Sequence, residues 1–136
     1  MTPVEMLRAE LIADSDFALV VGDRVYADAA PQSAEFPFVV LTIEGGTAED
    51  CLDGPTGYFS DTMGFDVYSE SRLESLDVWK KGWSVLAGYT GSNSVTVLDS
   101  VTQASSIAWD TYRLGDASDD LVYRVAQNLQ VNYSLK

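Results

Sequence analysis

The last fifteen residues before the terminal lysine constrain the fold more than any other stretch. Leu121, Tyr123, Val125, Leu129, Val131, Tyr133 and Leu135 fall on one parity, and Arg124, Asn128, Gln130, Asn132 and Ser134 on the other. Side chains alternate across a strand with a period of two, so this pattern predicts one long β-strand with a buried face and a wet face. Only Gln127 interrupts the apolar side. The run is more than twice the usual strand of about five or six residues. A strand of that length either crosses a strongly curved sheet or projects beyond its own domain toward a neighbour.

What precedes it supplies partners and a helical cover. Met1 to Ala13 reads as a helix with Thr2 as N-cap, Pro3 at its first position and Glu5 in its first turn. Its apolar stripe is Val4, Leu7, Leu11 and Ile12, with Met6 at the margin. Asp14, Ser15 and Asp16 end it, and an apolar patch from Phe17 to Val21 leads into Gly22-Asp23-Arg24. Val25 and Tyr26 form a short extended piece. Two prolines between Asp28 and Pro37 rule out a central strand there.

Phe38 to Glu44 is apolar and β-branched on both parities, as in a strand covered on both faces. Gly45 to Ser60 shows no periodicity and is expected to be a long functional or mobile loop. Thr62 to Tyr68 resumes alternation and should pair antiparallel with the preceding strand. Ser71 to Tyr89 is the main helix, with capping-box spacing between Ser71 and Glu74. Its expected buried stripe is Leu73, Leu76, Trp79, Trp83, Leu86 and Ala87, and Gly88 and Gly91 end it. On this reading, truncating Trp83 to Ala costs about 3–5 kcal/mol. Strands at Val95 to Leu98 and Ile107 to Leu114 follow, then an acidic turn, Gly115 to Asp120, closing a hairpin into the final strand.

Strands segregated from helices in this order predict a single α+β domain spanning residues 1–136. The expected sheet is mostly antiparallel, of about four to five strands, with the N-terminal helix and one long helix packed on one face. A chain of 136 residues, 46% hydrophobic, is long enough for one ordinary core. Its formal net charge of −13 leaves no basic surface that could neutralise phosphates, which argues against specific binding of nucleic acid or anionic membranes. No apolar run is long enough for a membrane span, and no secretory signal opens the chain. Cys51 is the sole cysteine, so no internal disulfide can form, and an intracellular setting is the default expectation.

Catalytic chemistry finds little to work with. The chain has no histidine, which removes Ser-His and Cys-His nucleophile pairs, His metal ligation and the commonest general base. Glu49, Asp50 and Asp53 would raise the thiol pKa of Cys51 and disfavour a reactive thiolate. Asp116, Asp119 and Asp120 lack the loop length and terminal Glu of an EF-hand, so a solvated turn is the better reading. Gly45-Gly46 lacks the Gly-Lys-Ser/Thr continuation of a phosphate cradle. No catalytic residue, cofactor or metal is therefore expected. Tyr58 and Phe59, an aromatic pair ending a polar stretch, are either the loop's own plug or a contact for a partner. With Glu49, Asp50, Asp53, Asp116, Asp119 and Asp120 they make up the candidate protein-interface residues.

Several pieces, in order, carry a resemblance. The N-terminal helix, Gly22-Asp23-Arg24-Val25-Tyr26, Ala30-Pro31-Gln32, Phe36-Pro37-Phe38-Val39-Val40, Phe65-Asp66-Val67-Tyr68-Ser69 before a long helix, and the terminal Asn-Leu-Gln-Val-Asn-Tyr strand resemble the tail completion or tail terminator family of long-tailed phages and gene transfer agents. That resemblance implies a structural virion protein, assembled in the host cytoplasm, that forms a six-membered homo-oligomeric ring on the head-proximal end of the tail tube. Such a ring stops tube polymerisation and joins the head. The implied partners are the major tail tube protein and the head-tail connector, with DNA passing through the lumen without specific binding. An acidic lumen would repel DNA phosphates. Two other readings fit the same strand pattern: a small ligand-binding or enzyme domain dimerising through its sheet, and another connector or tube subunit.

Overall fold

The computed structural model describes residues 3–31, 34–51, 54–92, 96–113 and 121–135. In chain order the elements are α1 (Pro3–Ala13), α2 (Ser15–Val21), β1 (Val25–Ala27), β2 (Phe38–Cys51), β3 (Gly54–Ser69), α3 (Arg72–Leu86), β4 (Gly91–Ser92), β5 (Thr96–Gln103), β6 (Ala108–Arg113) and β7 (Leu121–Leu135). The class is α+β, as the order of segments predicts. One mixed sheet of seven strands replaces the four or five expected. The surplus comes from β1, which pairs parallel to β2, and from the two-residue β4. Both are too short to show a periodicity of their own.

The long terminal strand is the centre of this sheet. On one edge β7 pairs antiparallel with β3 from Ser69↔Tyr123 to Tyr58↔Ser134. Its other edge is shared: β6 takes residues 121–126 and β5 takes residues 129–135. The strand therefore crosses its own sheet and does not project alone toward a neighbour. Gln127, which the alternation marks as an interruption, sits where the second edge passes from β6 to β5. It is buried, donates through Nε2 to the Ser105 carbonyl at 2.8 Å, and accepts from Gln103 Nε2 at 3.4 Å. A polar side chain is retained on the core face there because the crossing leaves backbone groups to be satisfied.

The expected loop between Gly45 and Ser60 is instead the far half of a long hairpin. β2 and β3 stay paired out to Cys51↔Gly54, with irregularities between Ile43 and Gly45 and between Ala48 and Asp50. Among the described residues none between Gly45 and Ser60 joins the core cluster, so burial imposes no period on this part of the sequence.

One face of the sheet carries the core. Val39 and Leu41 from β2, Met63, Phe65 and Val67 from β3, and Val125, Leu129 and Val131 from β7 pack against Leu7 and Leu11 of α1, Phe17 of α2, and Val78, Trp79 and Leu86 of α3. The patch from Phe17 to Val21 is thus a helix, capped by Asp14, whose carboxylate accepts from the Phe17 N–H at 2.9 Å. Arg8 and Arg24 tie these helices to the sheet: Arg8 Nε donates to the Val25 carbonyl at 2.6 Å, and Arg24 Nε to that of Pro37 at 3.0 Å.

The face that α3 buries is rotated from the expected one. Its buried positions are Ser75, Val78, Trp79, Gly82 and Leu86, whereas Leu73 is 80% exposed and Trp83 only partly buried, stacked on Trp79 at 6.5 Å. Apolar size alone pointed to the two tryptophans and Leu73, but the backbone contact is set by a glycine. A Cβ at Gly82 would lie 2.6 Å from Phe65 Cζ and 3.2 Å from Phe17 Cε2, so only a bare backbone lets α3 settle this close. The capping box is also modified. Ser71 Oγ accepts from the Glu74 N–H, while Glu74 Oε1 accepts from Ser69 Oγ at 2.7 Å, and Ser69 Oγ accepts from the Ser71 N–H at 3.2 Å. A buried serine at the end of β3 thereby relays the reciprocal half of the cap.

Substitutions in α3 should separate these faces. Gly82→Val is expected to destabilise by about 1–3 kcal/mol through overpacking, and Trp79→Ala by about 3–5 kcal/mol. Leu73→Ala should stay within roughly 0.5 kcal/mol. Trp83→Ala should cost less than Trp79→Ala, and less than the sequence alone suggests, because less of its indole leaves water. Urea unfolding midpoints of the four variants test the ranking.

Candidate assembly surfaces

The face of the sheet opposite the helices is covered by no element among the described residues, and its side chains are organised by register. At one end, Phe38 stacks on Tyr68 at 4.9 Å, with Tyr26 edge-on at 6.0 Å and Phe36 at 5.3 Å. These aromatics come from the strand entry, β1, β2 and β3, and are all half-buried. Next to them Arg124 of β7 reaches both ways. Its Nη2 donates to Asp66 Oδ2 of β3, and its Nη1 to Asp110 Oδ2 of β6, each at 2.9 Å. The Asp66 carboxyl sits above the ordinary carboxylate range because burial outweighs the hydrogen bond and charge of Arg124.

Farther along, the charge disappears. Gln130 bonds to Ser60 and Thr62, and Asn132 Nδ2 donates to Ser100 Oγ at 2.9 Å. These cross-strand amide and hydroxyl pairs satisfy one another in a ladder from β3 through β7 to β5. Sequence reasoning placed Arg124, Gln130 and Asn132 on the wet face, and they are there. It missed their partners, because pairing across 14 to 70 residues leaves no local signal.

The aromatic pair of the hairpin separates. Phe59 stacks on Tyr133 at 5.3 Å, and Tyr133 Oη donates to Asp61 Oδ2 at 2.8 Å. Burial, with the hydrogen bond and the charge of Asp61, pushes the Tyr133 hydroxyl up to about 12. Phe59 thus packs against the terminal strand, while Tyr58, opposite Ser134, is 42% exposed. Of the acidic candidates, Glu49 and Asp50 run in the backbone of β2, and their side chains lie outside the described set. Asp53, Asp116, Asp119 and Asp120 lie outside the described residues.

Charge is distributed unevenly. Nine acidic residues and no Lys or Arg lie between Arg24 and Arg72, the segment that supplies β1, β2 and β3. Among the described residues no group of three His, Cys, Asp or Glu is placed to hold a metal ion, and no helix is long and apolar enough to cross a membrane. What the arrangement offers is surface: an aromatic and polar sheet face, and an acidic ribbon.

A profile of the family described as tail completion protein gp17 matches residues 5–131. Among solved structures, the chain is similar to one in the virion of a native gene transfer agent particle. The two share 16% identity with a TM-score of 0.66, over 94% of this chain and 91% of that one. A search of curated proteins found no match.

The three-strand ion network generates a graded expectation. Removing its centre with Arg124→Ala leaves Asp66 buried without its counter-charge and should cost on the order of 3 kcal/mol at neutral pH. Asp110→Asn, at a largely exposed pair, should cost less than about 1 kcal/mol. Because the folded-state pKa of Asp66 is raised, the folded form binds more protons, so the contribution of this site is fully present below the unfolded value and falls as pH rises through the folded one. Chemical denaturation across the acid range should show the wild type losing stability relative to Asp66→Asn as pH increases; a constant difference would contradict the assignment.

Proposed function

Since the chain belongs to the tail completion protein gp17 family, we propose that this virion structural protein closes the head-proximal end of a tail tube as a ring of six copies. In that position it halts tube growth and offers a docking face to the head connector. The observation that carries the reading is the family match over residues 5–131, which takes in every helix and strand from α1 into β7.

The physical features support it. A cyclic head-to-tail ring needs two different flanks that complement one another, and this sheet has unlike margins, β1 and β2 on one side and β4, β5 and β6 on the other. The open sheet face combines aromatics with a paired arginine, the composition favoured at interface centres. Membership of a tail completion family supports a role in contacting other proteins of the particle. A net charge of −13 suits a wall that DNA slides past, since phosphates are repelled and not held.

Deleting the gene from its particle tests the proposal. Overlong or headless tails are expected under electron microscopy, and normal particles lacking the protein would overturn it. Image reconstruction of wild-type tail ends should show six copies around the channel, with carboxylates outnumbering Lys and Arg along the lumen.

A further inference from the structure

Two leucines of the helical layer stay outside the core. Among the described residues Leu19 of α2 and Leu73 of α3 are the most exposed large apolar side chains, at 85% and 80%. Leu73 belongs to a larger surface. With Glu70, Ser71, Arg72 and Tyr123 it lines an open cleft of about 430 Å³. The Arg72 guanidinium lies 5.5 Å from the centre of the Tyr123 ring and has no ion pair among the described residues. Strand register puts the exposed Trp109 of β6 diagonal to Tyr123 on the same face of the sheet. Arginine, tyrosine and tryptophan beside an exposed leucine are the residue types that dominate interface energies.

The free charges around the two leucines have opposite signs. Beside Leu19, Asp16 stands three residues earlier on α2 and Asp23 in the turn after it, both exposed and neither ion-paired. The cations near them are engaged. Lys81, which shares a cleft with Asp16 and Leu19, is held by Asp77 at 3.2 Å, and Arg24 donates to the Val20 and Pro37 carbonyls. Beside Leu73, Glu74 is turned to Ser69, which leaves Arg72 and the exposed Lys80, two helical turns on, against Glu70 alone. One chain cannot bring its own two sites together. Leu19 lies against the Lys81 and Ser84 end of α3, and Leu73 is roughly 12 Å away along the helix axis, at its start.

We propose that α2 of one copy docks on the α3 corner of the next, with Leu19 entering the cleft beside Leu73 and Tyr123 and with Asp16 and Asp23 facing Arg72 and Lys80. The inference rests on the ring reading above and deepens it by naming the two halves of the contact, because a head-to-tail ring needs both halves on the same chain. Charge sets the pairing: Leu73 against Leu73 would bring Arg72 onto Arg72, and Leu19 against Leu19 would bring Asp16 onto Asp16.

Two full-length variants test it, each with Cys51→Ser and one new thiol at an exposed position, Leu19→Cys in one and Leu73→Cys in the other. Mixed in equal amounts in a glutathione redox buffer, they should form the disulfide between positions 19 and 73 at least about fivefold above random pairing of the thiols. That excess should shrink as salt rises from about 50 to about 500 mM. Arg72→Glu in the Leu73→Cys partner should remove the excess, and Asp16→Arg with Asp23→Arg in the other partner should bring it back. Random proportions of the three dimers, or an excess of either like pair, would overturn the contact, and the thiol pair alone decides if a charge variant fails to fold. The ring is read separately. Six copies at the tail end with random thiol pairing would remove this contact and keep the ring, whereas paired thiols with no ring there would keep the contact and remove the tail-end reading.

Discussion

The backbone of β7 has strands on both sides along almost its whole length, and the rest of the architecture depends on that double pairing. β3 occupies one edge, and β6 and β5 divide the other. Because a one-residue slip would turn every side chain to the wrong face, the alternation from Leu121 to Leu135 sets which residues of three neighbouring strands meet the helices. Val67↔Val125 and Met63↔Leu129 lie on the core face as a consequence. The exchange of partners along the second edge is held by Gln127, Gln103 and Ser105, with Asn128 accepting from Ala104 N–H at 2.8 Å. A small polar knot around the buried Gln127 therefore bridges positions 127 and 128, where one ladder ends and the other begins.

That arrangement divides the molecule into a packed half and a ribbon. Where α1, α2 and α3 cover the sheet, burial of apolar side chains dominates, and the close approach at Gly82 shows how tightly the layers meet. Beyond the helices, β2 and β3 continue as a hairpin held by ladder bonds, with the Phe59, Tyr133 and Asp61 contacts near its root. Among the described residues none from 45 to 60 joins the core cluster, and that stretch of sequence carries no Lys or Arg. Both conditions suit a surface completed by other proteins of a particle.

Legibility followed the same division. The α1 stripe, the start of α3 and the final strand could be read because burial imposes a period on residue type. Leu7 and Leu11 are buried as the spacing predicts, and Met6, placed at the margin, is buried too. The hairpin between Gly45 and Ser60 was illegible because its residues answer to backbone pairing and not to a core. The interface candidates divide likewise: Phe59 turned inward on a tyrosine 74 residues away, and nothing local to it signals that partner.

By itself the sequence determined the class of fold, the long axial strand, the lack of histidine chemistry and the strongly acidic balance, since each follows from local period or from composition. Tertiary structure alone decided the rotation of α3 about Gly82, the sharing of β7 between β5 and β6, the pairing of Arg124 with Asp66 and Asp110, and the cleft beside Leu73. These depend on which distant segments come together, and packing and backbone hydrogen bonds choose that only once the whole sheet is assembled.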